Sequence, residues 1–199
     1  MQTVTGKKQV PSNNPPIKPR NRYFLALVTP PPLFDQILAL KTYFKDQFQS
    51  KAALNSPPHI TLQMPFEWPS EKEEELIDAL QNLSSTLTPT TVKLKNFDCF
   101  SPHVIFIHVI PSAGITSLQS KVRQFCKAEL DLSANDQPFH PHVTIGFRDL
   151  KKPAFNLAWT EFKKKLFNGK FLADQISLLI HDGKKWKVIR NFPLPSLRA

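Results

Sequence analysis

Two short stretches of this chain pair a titratable ring with a hydroxyl. Residues 58–62 read Pro58-His59-Ile60-Thr61-Leu62, and residues 141–145 read Pro141-His142-Val143-Thr144-Ile145. An imidazole changes charge near neutral pH. One neutral histidine can therefore take a proton from an attacking hydroxyl or water while one protonated histidine gives a proton to a leaving oxygen. A threonine hydroxyl beside each ring can donate to oxygens on which charge builds during the reaction. Two such pairs brought to one place suit phosphodiester chemistry, and the scheme needs neither a metal nor an organic cofactor.

Chance does not account for the repeat. With six histidines and twelve threonines in 199 residues, a shuffled chain of this composition holds about 0.4 His-x-Thr triplets. Requiring the leading proline and both aliphatic positions lowers the expectation below about one in a thousand. The two histidines lie 83 residues apart, and Pro30 and Pro111, which each close a preceding apolar run, lie 81 apart. A near-constant offset is the mark of a duplicated unit.

The elements that must position the motifs follow from periodicity. RYFLALVTP (22–30) reads as a buried strand ended by three prolines, and residues 33–49 carry apolar positions at helical spacing. HITLQMPF (59–66) is the first motif strand. Ser70 and Glu73 fit a capping box ahead of a helix reaching about Ser85, and 90–100 alternate as a strand. The order then restarts: a strand over 104–111, a helix over 117–130, the second motif strand over 141–147 and a helix over 153–168. A closing hairpin turns near Asp182-Gly183. The predicted fold is α+β and bilobal. Duplicated βαβαβ units, about 22–100 and 104–194, are related by pseudo-twofold symmetry. Antiparallel sheets line a central groove and helices lie outside. Residues 1–21 form a disordered, basic, Pro/Asn-rich tail, and 22–199 a single bilobal domain.

Composition bounds the rest. The net charge of +10 divides unevenly: +5 over residues 1–22, −3 over 23–147 and +8 over 148–199. The basic last third can attract phosphates or be a solvated face, and charge alone does not establish RNA binding. No apolar run approaches a membrane span and no secretory leader opens the chain. Cys99 and Cys126 are too few for a disulfide framework, so buried free thiols in a reducing cytoplasm are expected. A monomer is expected as well.

In a regular strand, alternate side chains share a face. His59, Thr61 and Gln63 then line one side of the first motif strand. His142, Thr144, Gly146 and Arg148 line one side of the second, and the intervening aliphatics anchor each strand to the core. His140 and His142 are spaced like a chelating pair. Neither motif has a carboxylate at matching spacing, however, and no metal is expected. Phe66, Trp68, Phe147 and Trp186 are weak candidates for stacking on a base, and core packing is the commoner role for each. His103 and His181, like His108, read as structural or surface residues, and His140 has no assigned role. Lys151 and Lys152 extend a basic rim.

PHITLQMPF and FHPHVTIGFRD resemble the two signature strands of the 2H phosphoesterase superfamily, in its LigT-like branch, often labelled 2′-5′ RNA ligase or 2′,3′-cyclic phosphodiesterase. The resemblance spans roughly residues 22–194. It implies metal-independent catalysis, with His59 and His142 as the acid–base pair and Thr61 and Thr144 as phosphate ligands. Gln63 and Arg148 are further substrate-binding candidates. The chain departs from the family at one point: many members place an arginine five residues after the second motif histidine, where this chain has Phe147, with Arg148 one later. The expected substrate is an RNA end or a cyclic nucleotide, carrying a 2′,3′-cyclic phosphate or a 2′-5′ linkage. The alternative is a module that holds a nucleotide or RNA phosphate in the same groove without turning it over. Two retained imidazoles favour catalysis, since a pure binder could use lysine or arginine at either position. RNA binding through the basic tail and last third could accompany either.

Overall fold

The computed structural model describes residues 19–132 and 137–195; the disorder expected of the tail falls on residues outside this range, apart from its last three. The elements, in chain order, are β1 (Arg20–Val28), α1 (Leu33–Phe48), β2 (His59–Pro69), α2 (Glu73–Ser84), β3 (Thr90–Phe100), β4 (Val104–Val109), α3 (Ala113–Glu129), β5 (His142–Gly146), α4 (Lys152–Phe162), β6 (Asn168–Ala173), β7 (Gln175–His181) and β8 (Trp186–Pro193). Short 3₁₀ turns cover Ala52–Asn55 and Ser70–Lys72. Among the described residues no helix is long and apolar enough to cross a membrane.

The strands form two antiparallel four-stranded sheets, in the orders β2-β1-β7-β8 and β5-β4-β3-β6. We call them sheets A and B. Each draws on both halves of the chain: β3 leaves the first half to pair with β4, and β7 returns from the second to pair with β1, with β8 on its outer side. The helices cross over in the same way. α1 packs with α4 against sheet B, and α3 packs with α2 against sheet A. Each motif strand therefore lies at the edge of one sheet, and β2 and β5 come into contact.

One large apolar cluster fills the space under the helices, with Leu25, Leu27, Ile60 and Leu62 contributed by sheet A and Ile105, Ile107, Val143 and Ile145 by sheet B. Phe44 of α1, Phe162 of α4 and Phe97 of β3 stack with ring centroids 4.9 and 5.0 Å apart. Burying side chains of this size stabilises by about 1.5–3 kcal/mol each. A second, smaller cluster of Phe24, Ala26 and Leu179, with Trp186 against it, lies on the opposite face of sheet A.

The capping box is absent. Ser70 sits in the 3₁₀ turn and its hydroxyl donates to the Pro19 carbonyl, while α2 begins only at Glu73. Glu73 instead accepts a short hydrogen bond from the Tyr23 hydroxyl. Burial and this carboxylate push the tyrosine up to about 12. Ser112 provides the cap that spacing did not single out: its side chain accepts from the Ile115 amide, starting α3 four residues before the expected position. α4 ends at Phe162, earlier than its apolar periodicity implied, and Leu166 is left 81% exposed.

Candidate active site

Both motif strands break register at the same place. In sheet A, Val28 pairs with His59, Ala26 with Thr61 and Leu25 with Gln63. In sheet B, His108 pairs with His142, Phe106 with Thr144 and Ile105 with Gly146. Each strand carries one extra residue just after its threonine, a β-bulge that rotates the remainder of the strand. Because paired residues share a face, His59 and Thr61 stand on the side of Phe24 and Ala26, away from the helices. His142 and Thr144 stand on the corresponding side of Phe106 and His108. The alternation from histidine to threonine therefore holds in both copies and ends there.

The bulges correct the expectation for Gln63 and Gly146. Gln63 lies opposite the core residue Leu25 and is 9% exposed, whereas Met64, expected inside, is 52% exposed. Gly146, at the matching place in β5, turns toward the core. A Cβ there would lie 2.6 Å from Phe44 Cδ1, so the backbone runs too close to that ring for a side chain. Arg148 also leaves the expected alternation. β5 ends at Gly146 and the chain enters a turn closed by the Leu150 amide on the Phe147 carbonyl. Arg148 is exposed there, its guanidinium 4.5 Å from the centre of the Phe147 ring.

The two imidazoles are held identically. His59 Nδ1 lies 2.7 Å from the Pro57 carbonyl, and His142 Nδ1 lies 2.7 Å from the His140 carbonyl. A carbonyl only accepts, so Nδ1 carries the hydrogen in each ring and Nε2 is left as the proton-exchanging atom. Aromatic rings fix the planes. Phe24 is 4.9 Å from His59, and Phe106 and Phe100 are 4.9 and 5.2 Å from His142. Burial, the charge of Lys41 and the neighbouring His142 lower His59 to about 4 against its backbone hydrogen bond. Burial and His140 lower His142. The repulsion between His59 and His142 places the two rings in one electrostatic environment. The Thr61 and Thr144 hydroxyls are partly buried, and neither is hydrogen-bonded to another described residue.

Other candidates fall elsewhere. Phe66 is in the core, and Trp68 Nε1 donates to the Lys72 carbonyl. Trp186 does reach the histidine side of sheet A, 4.7 Å edge-on to Phe24, with Arg22 5.7 Å above it. His103 approaches the Leu150 carbonyl, and His181 accepts from the Gly183 amide. His140 stands 6.2 Å from His142 and 6.3 Å from His108 between ring centres. No three histidine, cysteine or carboxylate groups converge as a metal-binding set among the described residues.

Two supporting residues escaped the sequence reading. Lys41 is 1% exposed inside α1, and its ammonium donates to the carbonyls of Ala53 (2.9 Å) and Ser56 (3.0 Å). Burial lowers it from 10.5 to about 7. It holds the segment that delivers Pro57, whose carbonyl in turn holds His59. The signal was present: Lys41 lies four residues after Ile37 and three before Phe44, within the apolar stripe of α1. Its counterpart by buried position in α3 is Val122, so this support exists on one side only. Asp149 is the second. Its carboxylate accepts from the Ser50 hydroxyl (2.8 Å) and from the amides of Lys51 (2.7 Å) and Ala52 (2.8 Å). That ties the turn after β5 to the loop before β2.

Known proteins resemble this chain in sequence and in fold. A protein of Geobacillus sp. (strain WCH70), named "Putative phosphoesterase", is 26% identical over 152 residues, 75% of this chain and 84% of its own length. A Bacillus licheniformis protein of the same name is 28% identical over 144 residues, 69% of this chain and 80% of its own. Among solved structures, Escherichia coli LigT superimposes with a TM-score of 0.67 at 20% identity, covering 89% of this chain and all of LigT. A Thermus thermophilus protein superimposes at 0.63 with 18% identity, over 89% of this chain and all of its own. The sequence pattern of the 2′-5′ RNA ligase superfamily matches residues 29–185, from the end of β1 to the turn before β8. With both His-x-Thr strands inside that match, the chain belongs to the 2′-5′ RNA ligase superfamily, the 2H phosphoesterases.

Proposed function

We propose that this protein is a metal-independent phosphoesterase acting on 2′,3′-cyclic phosphate or 2′-5′ phosphodiester linkages of RNA ends or nucleotides. The observation that carries the reading is the matched pair of Nδ1–carbonyl hydrogen bonds. Each leaves one Nε2 free on the shared face, next to an unbonded threonine hydroxyl. Neutral His59 takes a proton from water as its oxygen bonds to phosphorus. The bond from phosphorus to one ribose oxygen breaks, and protonated His142 gives its Nε2 proton to that oxygen, leaving a phosphomonoester. Thr61 and Thr144 donate to the non-bridging oxygens. A ribose hydroxyl in place of water would join two ends instead.

The base is assigned to His59 because Lys41 penalises its imidazolium from one side, and no cation occupies the matching place behind His142. Family membership and the two relatives' names support the chemistry at the level of phosphoester cleavage. The solved complex of E. coli LigT contains 3′-AMP, the kind of product that opening a cyclic phosphate yields.

The test is a panel of 2′,3′-cyclic nucleotides and short RNAs with cyclic-phosphate ends, assayed in EDTA. Each of His59→Ala and His142→Ala is expected to lower kcat by about 10²- to 10⁴-fold. A folded double variant that hydrolyses these substrates like the parent would refute the assignment. Tight nucleotide binding by the parent without any turnover would place the chain among binding modules instead.

A further inference from the structure

On sheet B the face that carries His142 and Thr144 continues across the strands. His108 pairs with His142, while its neighbour Val109 pairs with Leu94, and both Val109 and Leu94 point into the core. Lys93 and Lys95, flanking Leu94, therefore point to the histidine side. Lys170 of β6 pairs with Lys93 and shares that side. Like charges directly opposite each other in a sheet are destabilising. All three lysines are exposed, and none is in an ion pair among the described residues. They line a trough of about 350 Å³ with Ile110 and Asn168. At about 4.8 Å between strands and 3.4 Å per residue, Lys93 lies roughly 12 Å from His142 and Lys170 roughly 16 Å. On the corresponding side of sheet A, Leu179 is buried, Ser177 donates to Asn191, and Arg22 lies over the Trp186 ring.

We propose that this lysine-lined trough on β3 and β6 binds the backbone phosphates of a single-stranded RNA whose terminal phosphate occupies the histidine site. The inference rests on the phosphoesterase reading and adds to it that the preferred substrate is a polynucleotide. A paired-lysine rung that weakens the sheet by itself becomes favourable once an anion lies across it. Because the lysine cluster lies on sheet B, the strand runs over that sheet. The aromatic wall of sheet A, with Phe24 and Trp186, is left for the terminal nucleoside. Successive cationic side chains along a concave face are how single strands are followed without reading their sequence.

The test compares the full chain with a Lys93→Ala/Lys95→Ala/Lys170→Ala variant. The probes are a labelled single-stranded RNA ending in a 3′-phosphate and a 2′,3′-cyclic mononucleotide. Removing three phosphate contacts is expected to weaken RNA binding about tenfold or more and to flatten its log–log salt dependence by about 2. Turnover of the mononucleotide should not change. Any contribution from the basic N-terminal residues is common to both proteins and cancels. RNA affinity and salt slope equal to the parent's, with mononucleotide turnover intact, would overturn the trough and leave the enzyme reading standing. Weakened RNA binding in a protein whose parent opens no cyclic phosphate would support the trough and overturn the enzyme reading. Displacement of RNA by polyglutamate as readily as by unlabelled RNA would overturn the choice of ligand.

Discussion

Replacing Lys41 by methionine keeps most of the side-chain volume and removes the only fully buried cation among the described residues. Its ammonium lies 3.0 Å from the Ser56 carbonyl, and three residues of extended chain, at most about 10 Å, separate Ser56 from His59. A unit charge at about 10 Å and an effective dielectric near 20 is worth about 1.7 kcal/mol, or roughly one pKa unit. Lys41 lowers His59, so its loss raises the ring. A base must be neutral to act, and its pKa sets the acid limb of kcat/KM against pH. Lys41→Met is therefore expected to move the acid limb up by roughly one pH unit and leave the basic limb in place. Lys41→Arg, which keeps the charge, should leave the acid limb where the parent has it. An acid limb that stays put in Lys41→Met, or a shift of the basic limb instead, would refute the assignment of His59 as base. Stability gives an independent check. Lys41 is lowered from 10.5 to about 7, so between these values the unfolded chain holds a proton that the folded chain lacks. The parent should gain stability as pH rises through that window, by a few kcal/mol at most (about 1.4 per unit), and lose it as pH falls. Urea unfolding of Lys41→Met should lack that slope, and an identical slope would mean that the lysine is not buried as a titrating group.

Two further outcomes concern the supports of the motif strands. Asp149→Ala removes three hydrogen bonds that join the loop before β2 to the turn after β5. It should cost about 2–4 kcal/mol in chemical unfolding and lower turnover, whereas a loss below about 0.5 kcal/mol would show that the two loops hold each other by packing alone. Gly146→Val must displace the Phe44 ring, 2.6 Å from the nearest added atom. It should cost about 1–3 kcal/mol or more, and truncation of Phe44 to leucine in the same chain should restore part of that loss.

The motif was legible because its chemistry and its periodicity coincide. His-x-Thr needs only two residues of regular strand, and both strands stay regular for that span. Beyond the threonine the same period failed at Gln63, Met64 and Gly146, and β5 ends before it reaches Arg148. A bulge of one residue inverts the side chains that follow it, and in β2 a second shift, between Tyr23 and Leu25, returns Phe66 to the core; nothing in the local residue types of β2 announces either. In β5 a hint was available. Gly146 is one of five glycines in the chain, and a glycine inside a strand pattern marks a bulge or a close backbone approach. The duplication was legible from the offset, but the exchange of β3 and β7 between sheets was not. Pairing partners that lie far apart in sequence leave no periodic trace.

Near-symmetry is useful to this chemistry only if it is incomplete. Two identical strands deliver two identical imidazoles, each holding its proton on Nδ1 and offering Nε2. Identical surroundings would give them the same preferred charge, and acid–base catalysis needs one of each. The strands cannot supply the difference without losing the geometry that both roles share. It has to come from the residues packed behind them, and there the two halves diverge: a buried lysine stands in α1 where α3 has Val122. On the facing walls the divergence is as large, with Phe24 and Trp186 on sheet A and three lysines on sheet B. In the proposed mechanism, symmetry fixes where the reacting phosphate sits. The departures from it would then decide which ring takes the proton and in which direction the rest of a substrate leads away.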